Sequence, residues 1–382
     1  MKKLSKKVMS LLLAVCVLVT LVGCGSSADT STSTTGGADS SEASSSVHPG
    51  EGATKMGVIL VGARDDMGYN QALYECCMSA EDELGLEVLV KDNVPEDSSC
   101  EAVMEELIAQ GCKLIYATSI GHREYMEEVA ASHPDVAFYT CNSTGNDMDN
   151  VCVLTTNLWD SAYVNGVAAG LMTETNELGY IASFQIPVVM ASINAFALGA
   201  QSVNPDATVH AVFTGSWSDV GLQTNAIDSM ASQNIDVIAQ FQDYTKSIVE
   251  HCEELGVYSI GYHCDTSSLG PNTFIIGTLD TFVKQYEVFQ AAMDGKFEPG
   301  IVRGGFEEGM CANTPVADFC PEEVKTAVQE VEDKMAAGEF TAFTGPIYKQ
   351  DGTLVYEEGY VATDTELDGC DFFVKGVIGE EN

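Results

Sequence analysis

One loop gathers most of the side chains suited to recognising a small molecule: Gly62-Ala63-Arg64-Asp65-Asp66-Met67-Gly68-Tyr69-Asn70-Gln71. It lacks GxGxxG spacing, so it is no dinucleotide fingerprint, and no GK[ST] follows, so it is no P-loop. Tyr69 and Asn70 pair an aromatic face with an amide, a combination that suits stacking on a planar heterocycle and hydrogen bonding along its edge. Asp65 and Asp66 stand at a helix start, where a carboxylate either caps the first turn or addresses a ligand. Both roles stay open from the residues alone.

Chemistry of the bond-breaking kind has little support. The six histidines (His48, His122, His133, His210, His251 and His263) belong to no HExxH motif, there is no GxSxG elbow, and no cysteine and histidine share a recognisable local motif. Carboxylates are too abundant for any one pair to stand out. The chain reads as a binder and not an enzyme, with no cofactor expected. Cysteine shows no zinc-like ligand spacing, so no metal is expected either.

The elements that must hold such a loop alternate regularly. Met56 to Val61 reads as a buried strand, about Tyr69 to Leu84 as a helix, and Leu86 to Val90 as a second strand. Ser98 and Glu101 match a capping box, and Cys100, Val103, Met104, Leu107 and Ile108 fall at helical spacing up to Gly111, a left-handed terminator. Leu114 to Ala117, Val136 to Tyr139 and Val151 to Thr155 follow as strands. The pattern then restarts, with strands expected at Gly179–Ala182, Thr208–Phe213, Ile235–Ala239, Tyr258–Gly261 and Phe274–Gly277, and helices at Pro187–Ala200 and Leu222–Ala231. A local echo links the halves. Leu107 to Ile115 resembles Met230 to Ile238, with Gly111 and Asn234 each tolerant of positive φ between a helix and a strand. Alternation of this kind predicts parallel sheets covered by helices, with loops at the strands' carboxyl ends facing a shared crevice.

The start of the chain is a targeting segment. Lys2, Lys3, Lys6 and Lys7 precede the apolar run Val8–Val22, and Gly23-Cys24 completes a lipobox. Residues 1–23 are expected to be removed and Cys24 acylated, which tethers the protein to the outer face of the cell membrane. Residues 24–54, rich in Ser, Thr and Gly, read as a flexible leash spanning about 30 Å. The net charge of −40 repels phosphate backbones, which excludes nucleic acid as a partner. Of thirteen cysteines, Cys16 leaves with the leader and Cys24 is acylated; the odd remainder sits largely in apolar runs and reads as core thiols.

Several stretches carry a family likeness. Gly68–Ala72, Val94-Pro95-Glu96, Tyr116–Gly121, Phe184–Pro187, Ile193–Pro205, Ser216–Asp219, Asp236–Gln240, Gly256–Tyr262 with Asp265, and Phe343–Ile347 resemble, in order, the basic membrane protein family of lipoproteins. These are substrate-binding components of ABC importers, among them purine-nucleoside receptors and the Med-like branch. The likeness spans about residues 55–350, with Asn194 to Pro205 its most specific part.

The resemblance implies an α/β class I periplasmic-binding-protein fold: two doubly wound parallel-sheet lobes joined by a three-segment hinge. One lobe would comprise 55–157 and 279–306, the other 158–278 and 307–382. It implies a monomer that closes on a nucleoside or purine-like ligand and docks on ABC permease subunits. Carried over by position, Asp65 or Asp66, Tyr69 and Asn70 would address the base, Ser119 and Gly121 would line the cleft, and Phe184 and Trp217 would wall it. Asp243 would face the crevice and Asp265 would accept ribose hydroxyls. Phe184 also suits ordinary core, and Asp265 also suits a turn with Thr266 and Ser267. Asp280 departs from the family, standing where nucleoside receptors place a lysine, so a ligand that is polar and neutral to cationic is expected. Two other readings exist: a ligand-gated surface sensor of the same fold, and a nucleoside hydrolase, which would need a base or metal set absent from the sequence.

Overall fold

The computed structural model describes residues 48–141, 145–281 and 283–380. The expected leader, Cys24 and the leash up to residue 47 lie outside the described residues. The leash was expected to reach residue 54, but the chain is already packed before that. The Gly50 N–H donates to Asp135 O (2.9 Å), the Gly52 N–H donates to Met293 O (2.9 Å), and Ala53 is buried. Among the described residues no helix is long and apolar enough to cross a membrane.

The first lobe runs β1 (Lys55–Ile59), α1 (Tyr69–Leu84), β2 (Glu87–Lys91), α2 (Ser99–Ala109), β3 (Leu114–Ala117), α3 (Arg123–Ser132), β4 (Ala137–Cys141) and β5 (Val151–Thr156). The second runs α4 (Leu158–Met172), β6 (Glu177–Ala182), α5 (Pro187–Val203), β7 (Thr208–Phe213), α6 (Val220–Ser232), β8 (Val237–Phe241), α7 (Lys246–Leu255), β9 (Tyr258–Gly261) and β10 (Phe274–Asp280). The chain then revisits the first lobe with α8 (Val283–Met293) and β11 (Gly300–Gly304). It ends on the second with β12 (Cys311–Asn313), α9 (Glu322–Ala336), the hairpin β13 (Ile347–Tyr348) and β14 (Leu354–Tyr356), α10 (Asp364–Leu367) and β15 (Val377–Ile378).

Strand order is β11-β5-β4-β3-β1-β2 in one sheet and β12-β10-β9-β8-β6-β7-β15 in the other. Every pairing in these two sheets is parallel except β10 with β12. Side chains alternate across each sheet and feed two apolar layers. Met56 and Val58 face one layer with Leu114 and Tyr116, whereas Ile59 faces the other with Ile115 and Ala117. The second sheet repeats this, with Leu178, Tyr180 and Ala182 on one side and Ile181 and Ile238 on the other. Each fully buried Leu, Ile or Val contributes about 1.5–3 kcal/mol, which is why these strands read as nearly continuous apolar runs.

Local signals were partly reassigned. Ser98 makes no side-chain cap, and Asp97 instead accepts from the Ser99 N–H at 2.8 Å. Gly111 and Asn234 are both left-handed, at φ 93° and 68°, as the echo between the halves predicts. Helices α4 and α5 pack unusually closely, because Gly166 lies against the Phe196 carbonyl and Gly199 against the Tyr163 carbonyl, where a Cβ would not fit. Asn194, from the most family-specific segment, is buried and structural. Its amide donates to Phe372 O (2.8 Å) and accepts from the Val374 N–H (2.9 Å), pinning the C-terminal segment to α5.

Three strands of chain cross between lobes, after β5, after β10 and after β11. At the crossing the Asn157 N–H donates to Gly304 O at 2.8 Å. Arg303 of β11 grips Asp368, just past α10, through two contacts of 2.7 and 2.8 Å, and donates to Asn157 Oδ1 at 3.1 Å. The ion pair is largely buried, so its partners are worth most to each other and costly to separate.

Candidate functional site

Topology determines where a ligand can sit. β1 lies between β2 and β3, and β6 between β7 and β8, so the chain turns opposite ways on either side of each. Loops at the carboxyl ends of such switch-point strands diverge and leave a crevice. The loops after β1 and β6, joined by the segments after β2, β3, β4, β5, β7, β8 and β9, line a cavity of about 830 Å³ between the lobes. That volume suits a drug-sized or nucleoside-sized solute.

The loop after β1 is braced from within. The Asp66 carboxylate, 8% exposed, accepts from the N–H groups of Gly68 (2.9 Å), Asn70 (3.1 Å) and Gln71 (2.9 Å) and from the Asn70 amide (2.8 Å). It therefore caps α1 and complements the positive helix end. Asn70 Oδ1 accepts from the Gly62 N–H at 3.0 Å. Asn70 lines the cavity, but its amide oxygen and one amide hydrogen already serve the loop, which leaves no complete bidentate edge for a base. Asp65 also lines the cavity and is exposed.

Tyr69 presents its ring to the cavity while its hydroxyl donates to Thr118 O and lies 3.1 Å from Cys141 Sγ. Burial pushes the phenol well above its ordinary range. The Cys141 thiol is pushed up to about 12, chiefly by burial, so it is a poor nucleophile near neutrality. Ser119 lines the cavity, donating through Oγ to Glu96 and accepting from the Gly121 N–H at 3.3 Å. Gly121 is not in the lining. It sits behind Glu96, where any Cβ would collide with that carboxylate.

The second lobe supplies an arc of rings. Phe184 meets Trp217 edge-on with centroids 5.2 Å apart, Trp217 lies 6.4 Å from Phe241, Phe241 4.8 Å from Tyr262, and Tyr262 4.0 Å from His263. His263 then meets Tyr69 of the first lobe at 5.1 Å, so rings run from one lobe to the other. Phe184 is 39% exposed, which removes it from the ordinary core.

His263 is buried in a left-handed conformation at φ 64°, a strained geometry for a non-glycine residue. Its Nδ1 lies 2.6 Å from Asp280 Oδ2. Burial alone would lower its pKa, but the charge and hydrogen bond of Asp280, with Asp243 and Asp66 behind, outweigh that and raise it. Asp280, expected in the cleft at the position of a lysine, is thus the counterion of His263 and does not line the cavity. Asp265 is displaced further: it is exposed, accepts from the Ser267 N–H at 3.0 Å, and forms the turn that was its alternative.

Asp243 lines the cavity and joins the lobes. Its N–H donates to Trp217 O at 2.8 Å, and its carbonyl accepts from the Tyr69 N–H at 3.1 Å. Burial raises its carboxyl to about 7; Asp66 and Glu96 add to the effect and His263 opposes it. Two further bonds close the same seam, from Thr245 Oγ1 to Met67 O (2.6 Å) and from Cys264 Sγ to Gly68 O (3.2 Å). Gly68 is required there, because a Cβ would overlap the Asp243 carbonyl.

Sequence reasoning missed Glu96, Phe241, Tyr244 and His263 as cavity residues. The available signal was positional: each follows a predicted strand at its carboxyl end. Among the described residues no Lys or Arg lines the cavity. Arg64, adjacent to it, is tied to Asp92 by bonds of 2.9 and 3.0 Å. Among the described residues no cluster of three or more His, Cys, Asp or Glu is arranged to hold a metal ion. Chemically, the arrangement offers a solute a chamber, ring faces and hydrogen-bonding groups.

Known proteins share this organisation. The chain is 32% identical over 327 residues to a protein named as purine-binding from Brucella abortus (strain 2308), covering 85% of this chain and 92% of that relative. It is 28% identical over 357 residues to a Haloferax volcanii ABC-transporter protein with a provisional glucose-binding name, covering 92% and 86%. An ABC-transporter solute-binding protein from Conexibacter woesei superposes with a TM-score of 0.64 at 19% identity over 76% of this chain and 98% of the other, a likeness of fold. The family model described as ABC transporter substrate-binding protein, PnrA-like, matches residues 53–314, and the chain belongs to that Bmp family.

Proposed function

We propose that this protein captures a purine nucleoside or a related small polar aromatic solute between its lobes and delivers it to the permease of an ABC importer. In this reading acylated Cys24 holds it at the outer face of the cell membrane, and it acts as a monomer. The lobes comprise 55–157 with 281–306, and 158–280 with 307 to the C-terminus, two residues later than the expected break at 279 because Leu279 and Asp280 pair with β12. The observation that carries the ligand class is the ring arc from Phe184 through Trp217 and His263 to Tyr69 around an 830 Å³ cavity. A purine offers two faces to such walls and donors to the carboxylates between them. The name of the Brucella relative supports the same class, and the aromatic lining favours it over a hexose.

Closure is the working step. A solute touching both lobes favours the closed form by its differential affinity for it. The bonds between Tyr69 and Asp243, Met67 and Thr245, and Gly68 and Cys264 add to that form once the lobes meet. The test is thermal unfolding with purine bases and nucleosides, each at about 1 mM, after native mass spectrometry has shown the protein free of co-purified solute. A ligand present at a hundred times its Kd adds about 2.7 kcal/mol of stability. A panel in which no purine moves the transition refutes the assignment.

A further inference from the structure

The reading of this cavity as the solute site, together with its charge, narrows the ligand further. Among the described residues its titratable lining consists of Asp65, Asp66, Glu96, Asp243, His263, the Cys141 thiol and the phenols of Tyr69 and Tyr244, with no Lys or Arg. These carboxylates are not equivalent. Asp66 is occupied by its four helix-start donors, and Glu96 accepts from Ser119. The imidazole charge of His263 is matched by Asp280 at 2.6 Å, so it offers little net positive charge to a solute. Asp65 and Asp243 are left over, and Asp65 is exposed to solvent, so Asp243 is the one of the two withdrawn from water. It is half-buried, its backbone is held at both ends by Trp217 and Tyr69, and among the described residues no group hydrogen-bonds its carboxylate.

We propose that the cavity selects a flat heteroaromatic solute bearing a positive charge, with Asp243 as its counterion and the aromatic arc as its walls. A carboxylate partly withdrawn from water and without a protein donor gains from a partner that supplies one. Ring faces attract cations electrostatically, and Tyr69, Trp217, Phe184 and Phe241 stand on both sides of the space. Both effects favour a cation over its neutral counterpart, and both disfavour phosphorylated or carboxylated solutes.

Two matched pairs, the members of each differing by one methyl group and one charge, test this: guanosine against 7-methylguanosine, and nicotinamide against 1-methylnicotinamide. Affinities of the purified protein are measured by calorimetry in low and high salt, for wild type and Asp243→Asn. The cation of at least one pair is expected to bind about tenfold more tightly, about 1.4 kcal/mol. That advantage should shrink severalfold with salt and in Asp243→Asn, whose unfolding transition reports that it is folded. Equal or tighter binding of the neutral member in both pairs, or no binding by any of the four, overturns the proposal. An undiminished preference in Asp243→Asn overturns the role of that residue. The purine reading is judged separately: a preference confined to the nicotinamide pair, with both guanine nucleosides silent, keeps the charge selection and ends the purine assignment.

Discussion

Replacing Asp243 by Asn in the ligand-free protein changes one atom of a side chain whose carboxyl is raised to about 7, mainly by burial. A carboxyl displaced from its ordinary value near 3.8 to about 7 corresponds to a ceiling of about 4 kcal/mol disfavouring the ionised form. Half-burial beside a cavity of about 830 Å³ brings the measurable part to about 1–2 kcal/mol, because the effective dielectric there exceeds that of a dry interior. The sign follows from proton counts. Between about pH 4 and pH 7 the folded chain holds a proton on Asp243 that the unfolded chain has released, so wild-type stability falls as pH rises through that window and levels off above it. Asn has no such term. The difference in Tm, variant minus wild type, is therefore near zero at pH 4, grows up to pH 7, and stays at about 2–4 °C to pH 8.5. Calorimetry or fluorescence-detected unfolding of stripped protein across that range measures it. A His263→Gln background should move the window upward, because the imidazolium opposes the rise of the Asp243 carboxyl. A variant that is less stable than wild type at pH 8, or a difference independent of pH, refutes the reasoning.

Gly68→Ala places a methyl against the Asp243 carbonyl and holds the lobes apart, so solute should dissociate at least tenfold faster while the apo Tm moves little; stopped-flow release at wild-type speed counts against it. Trp217→Ala removes the central ring of the arc and should weaken solute binding by about 10- to 100-fold, the range of a lost stacking partner, with Trp217→Phe recovering most of it; equal affinities for all three proteins would show that the wall makes no contact. The eleven thiols of the described residues are free, ten of them buried, and burial pushes Cys100 to about 11 and Cys252 to about 12. Iodoacetamide at pH 8 should therefore alkylate them on unfolding far faster than in the native protein, and reductant should leave the Tm unchanged.

Periodicity made the elements legible. The helix expected from Tyr69 to Leu84 and the strands at Leu114–Ala117, Thr208–Phe213 and Tyr258–Gly261 occur with those bounds, because each pattern is set by which residues a local segment must bury. The placement of the loop after β1 at the cavity was legible for the same reason: it follows a buried strand and opens a helix. The roles within it were not. Asp66 and Asn70 carry the right groups for a ligand, but once folded they satisfy backbone donors a few residues away, a competition that residue types do not reveal. Asp280 and Asp265 diverge likewise: one meets His263, and the other turns outward to the Ser267 N–H. Glu96, Phe241 and His263 come together from positions far apart in the chain because nine strands end at one crevice. Composition and spacing encode what a segment does to its neighbours in the chain. Strand order and a left-handed turn at His263 govern which distant side chains share a chamber, and that is where the chemistry of this protein is assembled.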